Sequence, residues 1–194
     1  MDEHPWGQRV VRFYDPDLHV IEVGEKMENV CRRFLDAGMT AEEIADKEKA
    51  IRQSIVDIQN QQSQEHLYPK MQMEFHSWSY EERSITVRFP ILKWELNHMG
   101  SMHGGLIAAA VDTVSGMASS QFSGCRINPT INISINYLLP ALDGDAMLVT
   151  AKIDHLGKRL VNLTTTCRSE TSGKTIATAT VNFMLMRDKM AKNQ

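Results

Sequence analysis

From Met71 onward the apolar residues of this chain recur at every second position, and that period is broken once, by an apolar run over residues 104–120. Side chains alternate faces along a strand and return every three to four residues along a helix, so the change of period separates strands from a single helix. Residues 71–80 and 84–90 flank Glu81-Glu82-Arg83 and predict a hairpin, with Ile85, Val87 and Phe89 on one face. After the helix, PTINISINYLLP sets Ile131, Ile133, Ile135 and Tyr137 on one face and Thr130, Asn132, Ser134 and Asn136 on the other. Residues 146–156, 160–169 and 174–187 predict three more strands, the last two joined by a turn ending in Gly173. The order β β α β β β β, with one long apolar helix and short turns, predicts an α+β fold: an antiparallel sheet wrapped around the helix.

The first 69 residues read differently. Helices are expected over 25–36, ending near Gly38, and over 40–60, where Thr40 and Glu43 have the spacing of a capping box. Ile44, Ile51, Ile55 and Ile58 share one face of the second helix and need a partner, either the rest of the chain or a second copy. Residues 59–65, QNQQSQE, have no apolar period and read as a linker closed by Pro69. The expected organisation is a helical extension over 1–69 and a second domain over 70–194. The extension holds eight Lys/Arg against fourteen Asp/Glu, a net of −6, whereas residues 70–194 hold thirteen against ten, a net of +3. A nucleic-acid-binding module is basic, so an acidic extension argues against that class of partner.

The chain is expected to be cytoplasmic with reduced thiols. Its first residues, MDEHPWGQRVVRFYD, have neither the basic start nor the apolar run of a secretory signal, and Cys31, Cys125 and Cys167 are an odd, scattered set. The apolar run is interrupted by Asp112, Thr113, Ser115 and Gly116, and is too short and too polar to span a bilayer. No membrane partner is expected.

Within the helix, Leu106, Ile107, Ala110, Val111, Val114 and Met117 form a bulky stripe suited to a sheet, while Gly105, Ala108, Ala109, Ser115, Gly116 and Ser119 form a flat, small one. Asp112 lies on the small face, the one side chain between Gly104 and Cys125 that carries a full charge near neutral pH. Burying such a carboxylate is costly unless it is paired, so Asp112 is expected to be paired or used. Ahead of it, the turn NHMGSMHGG opens the helix with two glycines. The first N–H groups of a helix lack intrahelical acceptors and sit at the positive end of its dipole. Gly104 and Gly105 leave them open to another molecule, which is the requirement for holding an oxyanion in acyl transfer. Asp112 lies nine residues beyond His103, about 2.5 turns and ~13 Å of rise, and so does not serve the same turn within one chain. A two-fold copy of the helix, antiparallel to the first, brings the second Asp112 opposite the first Gly104.

Asn97, Gly100, His103-Gly104-Gly105, Asp112-Thr113, the Thr130 strand, Tyr137 with Pro140-Ala141, and Gly157 followed by Lys158 resemble the hotdog-fold acyl-CoA thioesterases of the phenylacetic-acid-degradation (PaaI-like) type. The resemblance covers about residues 70–187. It implies a homodimer, paired into a tetramer, with active sites shared between subunits and CoA entering as part of the substrate, with no other cofactor. It also implies Asp112 as general base or nucleophile on the thioester carbonyl, the Gly104 N–H as the group polarising that carbonyl, and Asn97 and His103 as orienting substrate and thiolate. Thr130 stands where a hydroxyl helps the Asp position water. Lys158 and Arg159, in the positively charged half, are candidates for the CoA phosphates, and Gly105 for the same binding turn.

His98 and His103 are five apart with no further ligand at metal-binding spacing, so no metal site is expected. Ser101, Ser119 and Ser120 lack a nucleophile-elbow setting. Two other functions on this fold are a non-catalytic acyl-CoA sensor, whose usual basic DNA-binding module the acidic extension contradicts, and a hydratase or dehydratase, whose His and carboxylate pair is not found.

Overall fold

The computed structural model describes residues 2–3, 9–14, 20–24, 40–60 and 67–186, and the chain divides into two compact units, Met1–Ala50 and Ile51–Gln194. The helix expected over 25–36, Cys31 and most of the 59–65 linker lie outside the described residues.

The first unit opens with strands where a helical extension was expected. β1 (Asp2–Glu3), β2 (Arg9–Tyr14) and β3 (Val20–Gly24) form an antiparallel sheet in that order, with Val10 opposite Gly24 and Tyr14 opposite Val20. RVVRFY and VIEVG are dense in β-branched and aromatic residues, which fit a pleated surface, and this local preference prevails over the helical reading of residues 1–69. Helix begins only with α1 (Ala41–Asn60). Its capping box forms as the sequence predicts: the Thr40 N–H donates to Glu43 Oε2 at 2.7 Å, and the Glu43 N–H to Thr40 Oγ1 at 3.1 Å.

In the second unit the end of α1 seats Ile51 and Ile55, 1% and 3% exposed, in the main hydrophobic core. A short helix, α2 (Leu67–Lys70), leads into β4 (Glu74–Ser79) and β5 (Ser84–Pro90), the expected hairpin. A 3-10 turn (Lys93–Glu95) and α3 (Gly104–Ser123) follow, and then β6 (Thr130–Tyr137), β7 (Ala146–Leu156), β8 (Leu160–Ser169) and β9 (Thr175–Met184). The strands make one antiparallel sheet in the order β4-β5-β7-β8-β9-β6. The element order β β α β β β β is the one the change of period predicts.

Ile107, Ala110, Val111, Val114 and Met117 of α3 are buried, as the bulky stripe requires. The small face is only partly free. Ser115 and Ser119 are buried too, and Ser115 Oγ lies 2.7 Å from Thr165 Oγ1 on β8. The helix ends at Gly124, whose φ of 67° is open to glycine and whose N–H caps the Ser120 carbonyl at 3.0 Å. Among the described residues no helix is long and apolar enough to cross a membrane.

β6 is an edge strand with one irregularity. Its pairing with β9 slips between Thr130 and Asn132, so that Thr130 stands opposite Phe183 and Asn132 opposite Asn182. A bulge of this kind inserts one residue and re-aims the side chains before it. Without it Thr130 shares the outward face of Asn132 and Ser134. With it, Thr130 shares the inward side of Ile133 and Ile135, whose partners Val181 and Ala179 are buried.

Candidate active site

The turn that opens α3 is built by Asn97. Its Oδ1 accepts from the Met99 N–H at 2.8 Å, its Nδ2 donates to Ser101 Oγ at 3.1 Å, and its backbone N–H donates to the Ser101 carbonyl at 2.7 Å. Asn97 thus closes a loop whose Gly100 has a φ of 78°. The loop is anchored from below: the His103 N–H donates to the Glu95 carbonyl at 2.8 Å and the Met102 N–H to the Ala141 carbonyl at 2.8 Å.

His103 is the N-cap of α3, and its Nδ1 accepts from the Gly105 N–H at 3.0 Å. That consumes one of the open donors of the helix. The Gly104 N–H has no acceptor among the described residues, so the donor left over is the one the motif singles out. Gly104 is also packed from the side. The Tyr137 hydroxyl donates to its carbonyl at 2.9 Å, and a Cβ on Gly104 would lie 3.3 Å from Tyr137 Cζ. Tyr137 was part of the recognised pattern without a role of its own; the tyrosine at the end of an alternating strand was the signal.

Asp112 is half-buried rather than sealed in the core, and it is paired. Thr130 Oγ1 donates to Asp112 Oδ1 at 2.7 Å. The β6 bulge is what turns Thr130 to the helix. These two pairs sit at opposite ends of β6. From Thr130 to Tyr137 the strand advances roughly 24 Å at ~3.4 Å per residue, and Asp112 stands about 12 Å along α3 from Gly104. One chain therefore brings Asp112 to Thr130 and Gly104 to His103, Gly105 and Tyr137, but does not bring the two groups together.

A cavity of about 310 Å³ adjoins Asp112 and Thr130 and reaches Gly116, Phe183, Ser54 and Tyr68. Lys158 and Arg159 are exposed on the β7–β8 turn. That turn lies at the Thr130 end of the sheet, since the Leu185 N–H donates to the Arg159 carbonyl and the Met184 N–H to the Pro129 carbonyl.

Sequence reading overlooked Glu95. It is 1% exposed, and its Oε2 accepts from the Leu92 N–H at 2.9 Å while Oε1 has no hydrogen-bond partner among the described residues. Burial pushes its carboxyl above the ordinary carboxylate value, and the Leu92 N–H offsets part of that. No pattern in KWELNH marks such a residue as buried.

The family described as Thioesterase superfamily matches residues 99–181, and one described as Glyoxalase-like domain matches residues 1–28, the stretch that holds β1, β2 and β3. Acyl-coenzyme A thioesterase 13 of Mus musculus is 35% identical over 81 residues, 42% of this chain and 58% of that protein. The chain thus spans less than two thirds of the length of this curated relative. Among solved structures, zebra fish thioesterase superfamily member 2 superposes with a TM-score of 0.62 at 22% identity, over 71% of this chain and 96% of that one. The E. coli PaaI protein from the phenylacetic acid degradation operon gives 0.60 at 18%, over 71% and 94%. A Streptococcus mutans protein solved with acetyl CoA gives 0.53 at 25%, over 59% and 88%. Residues 99–181 of the chain are thus similar to the thioesterase superfamily, and the superpositions show that its sheet and apolar helix have the hotdog fold.

Proposed function

We propose that this chain hydrolyses the thioester of an acyl-CoA to a free acid and CoA, in sites that two copies build together. One observation carries the reading: Asp112 is paired with Thr130 at one end of β6, and the Gly104 N–H has no acceptor among the described residues at the other. A base and an oxyanion donor must each lie within about 3 Å of the reacting atoms. β6 supplies the means, as an edge strand with Ile131 52% and Tyr137 53% exposed. Antiparallel pairing of β6 with its own copy about a two-fold axis carries Thr130 and Asp112 of one subunit toward Gly104 and Tyr137 of the other. Each dimer then has two equivalent sites, and two dimers pair into a tetramer. The relative named for acyl-coenzyme A and the structure holding acetyl CoA support an acyl-CoA as substrate.

In such a site Asp112 takes a proton from a water held with Thr130, and the water oxygen bonds to the thioester carbonyl carbon. The Gly104 N–H, at the positive end of α3, receives the oxyanion. Collapse of the tetrahedral intermediate breaks the C–S bond, and the departing thiolate takes up the proton from Asp112. Direct attack by the carboxylate is the other route, through an anhydride that water opens; label from ¹⁸O water appearing in Asp112 marks it. Asn97 and His103 orient substrate and thiolate by fixing the turn around Gly104, with Gly105 in the same turn. Lys158 and Arg159 meet the CoA phosphates.

The test is thiol release from a panel of acyl-CoAs, with Asp112→Asn expected to abolish it. Near-normal turnover by Asp112→Asn overturns the assignment of Asp112. Tight acyl-CoA binding with no thiol release by the unaltered protein makes it a non-catalytic acyl-CoA-binding protein. Mixing Asp112→Ala subunits with Gly104-altered subunits is expected to restore one of the two sites of a heterodimer, and a fully active monomer in sedimentation overturns the shared site.

A further inference from the structure

We infer that Tyr137 is a positioning residue for the reaction: together with His103 it clamps the peptide unit between Gly104 and Gly105, and so aims the Gly104 N–H at the thioester oxygen. This rests on the thioesterase reading and deepens it, by adding what holds the oxyanion donor in place. A peptide unit is planar, so fixing its two polar ends fixes its orientation. Here two side chains take the two ends. The Tyr137 hydroxyl donates to the Gly104 carbonyl at 2.9 Å, and His103 Nδ1 accepts from the Gly105 N–H at 3.0 Å. The preceding unit is held at its carbonyl, where His103 accepts from the Leu106 N–H at 2.9 Å, and its other end is the open Gly104 N–H. The two units meet at the Gly104 Cα, so the direction of the open donor follows from where the clamped unit stands.

Neither partner in the Tyr137 bond needs the other for solvation. The Gly104 carbonyl belongs to the first turn of α3 and has the helix ladder, and Tyr137 is 53% exposed, so that water is open to its hydroxyl. What the bond adds is geometry. The two glycines fit this reading, because neither Gly104 nor Gly105 lies in the left-handed region that calls for glycine on backbone grounds. A Cβ on Gly104 would lie 3.3 Å from Tyr137 Cζ, and one on Gly105 3.1 Å from His103 Nδ1, both inside the ordinary contact distance. Each glycine thus makes room for the side chain that holds the peptide unit. Tyr137 reaches the turn from the end of β6, 33 residues on in sequence, where pairing with Ala177 of β9 fixes the strand that carries it.

The experiment uses acetyl-CoA, hexanoyl-CoA and palmitoyl-CoA, each labelled with ¹³C at the thioester carbonyl. Thiol release gives kcat and KM for the unaltered protein and for Tyr137→Phe, which keeps the ring and removes the hydroxyl. The carbonyl stretch of each ligand is read by infrared difference spectroscopy on Asp112→Asn with and without Tyr137→Phe, so that polarisation is seen without turnover. A hydrogen bond between uncharged groups changes a rate by about two- to tenfold, whereas outright loss of an oxyanion donor costs about 10² to 10³. Tyr137→Phe is therefore expected to lower kcat about five- to tenfold, to leave KM within about twofold, and to move the carbonyl band to higher wavenumber. An unchanged kcat, a loss confined to KM, or a band that Tyr137→Phe does not move overturns the clamp. A band that moves as expected while the unaltered protein releases no thiol from any of the three ligands sustains the clamp and defeats the thioesterase reading instead.

Discussion

Replacing Thr130 with Val keeps the shape of the side chain and removes the hydroxyl that meets Asp112 at 2.7 Å. A hydrogen bond to a charged acceptor is worth about 1.5–3 kcal/mol where water is excluded, and a rate falls tenfold for each ~1.4 kcal/mol. Thr130 is exposed and Asp112 half-buried in a single chain, so the lower end applies, about 1–1.5 kcal/mol, or a loss of roughly five- to tenfold in kcat/KM. Loss of the carboxylate itself, in Asp112→Asn, costs about 10² to 10⁴. The two changes act on one device, so Thr130→Val placed in Asp112→Asn is expected to add almost nothing. The assay is thiol release under saturating and limiting acyl-CoA, with a melting curve for each variant; the exposed Thr130 position is expected to shift stability by no more than about 0.5 kcal/mol. Additive losses in the double variant refute the pairing as the source of the effect. So does a Thr130→Val loss as large as that of Asp112→Asn, because it transfers the chemistry to the hydroxyl.

Gly104→Ala places a Cβ 3.3 Å from Tyr137 Cζ, and is expected to cut kcat/KM at least tenfold with a small change in melting temperature; unaltered turnover separates the Gly104 turn from the reaction. Glu95→Gln tests a carboxyl whose pKa burial raises. Such a group favours the folded state fully below the ordinary carboxylate value and loses that contribution as pH rises through its folded value. The variant is therefore expected to flatten the fall in stability between acid and neutral pH, read as melting temperature against pH, and an unchanged profile refutes this. Ile51→Ala empties a site 1% exposed and is expected to cost about 2–5 kcal/mol in denaturant unfolding; a cost near zero shows that the end of α1 is not core.

The fold was legible because two periods cannot be confused over long stretches. β7 and β8 run over the residues the alternation marks, and the Thr40–Glu43 box sits at the start of α1. What escaped depended on contacts that no single element reveals. β2 and β3 lie ahead of the two helices expected at 25–36 and 40–60, in residues to which no element of their own was assigned within the helical extension. Ser115 and Ser119 belong by size to a free face, but both are buried, and Thr165 offers a partner to the Ser115 hydroxyl alone. For the candidate site, the sequence identified Gly104, His103 and Asp112 and the distance between them. It did not identify Glu95, whose charge reads as surface, and although the resemblance set Thr130 with Asp112, the alternation alone set it on the face opposite the isoleucines.

That last error follows from the bulge at Ile131, and the bulge has a consequence for how related chains should be compared. Whether the threonine reaches the aspartate depends on how the strand pairs with β9, not only on the presence of the two residues. Pairing Ile131 regularly, with the bulge lost and every residue retained, moves Thr130 one place along β9 and points its hydroxyl away from the helix, whereas deleting Ile131 leaves Thr130 opposite Phe183 and facing the helix. A chain that keeps Asp and Thr but pairs this strand without the bulge carries the same letters and a different device. The bulge acts as a switch that a search for matching residues does not see.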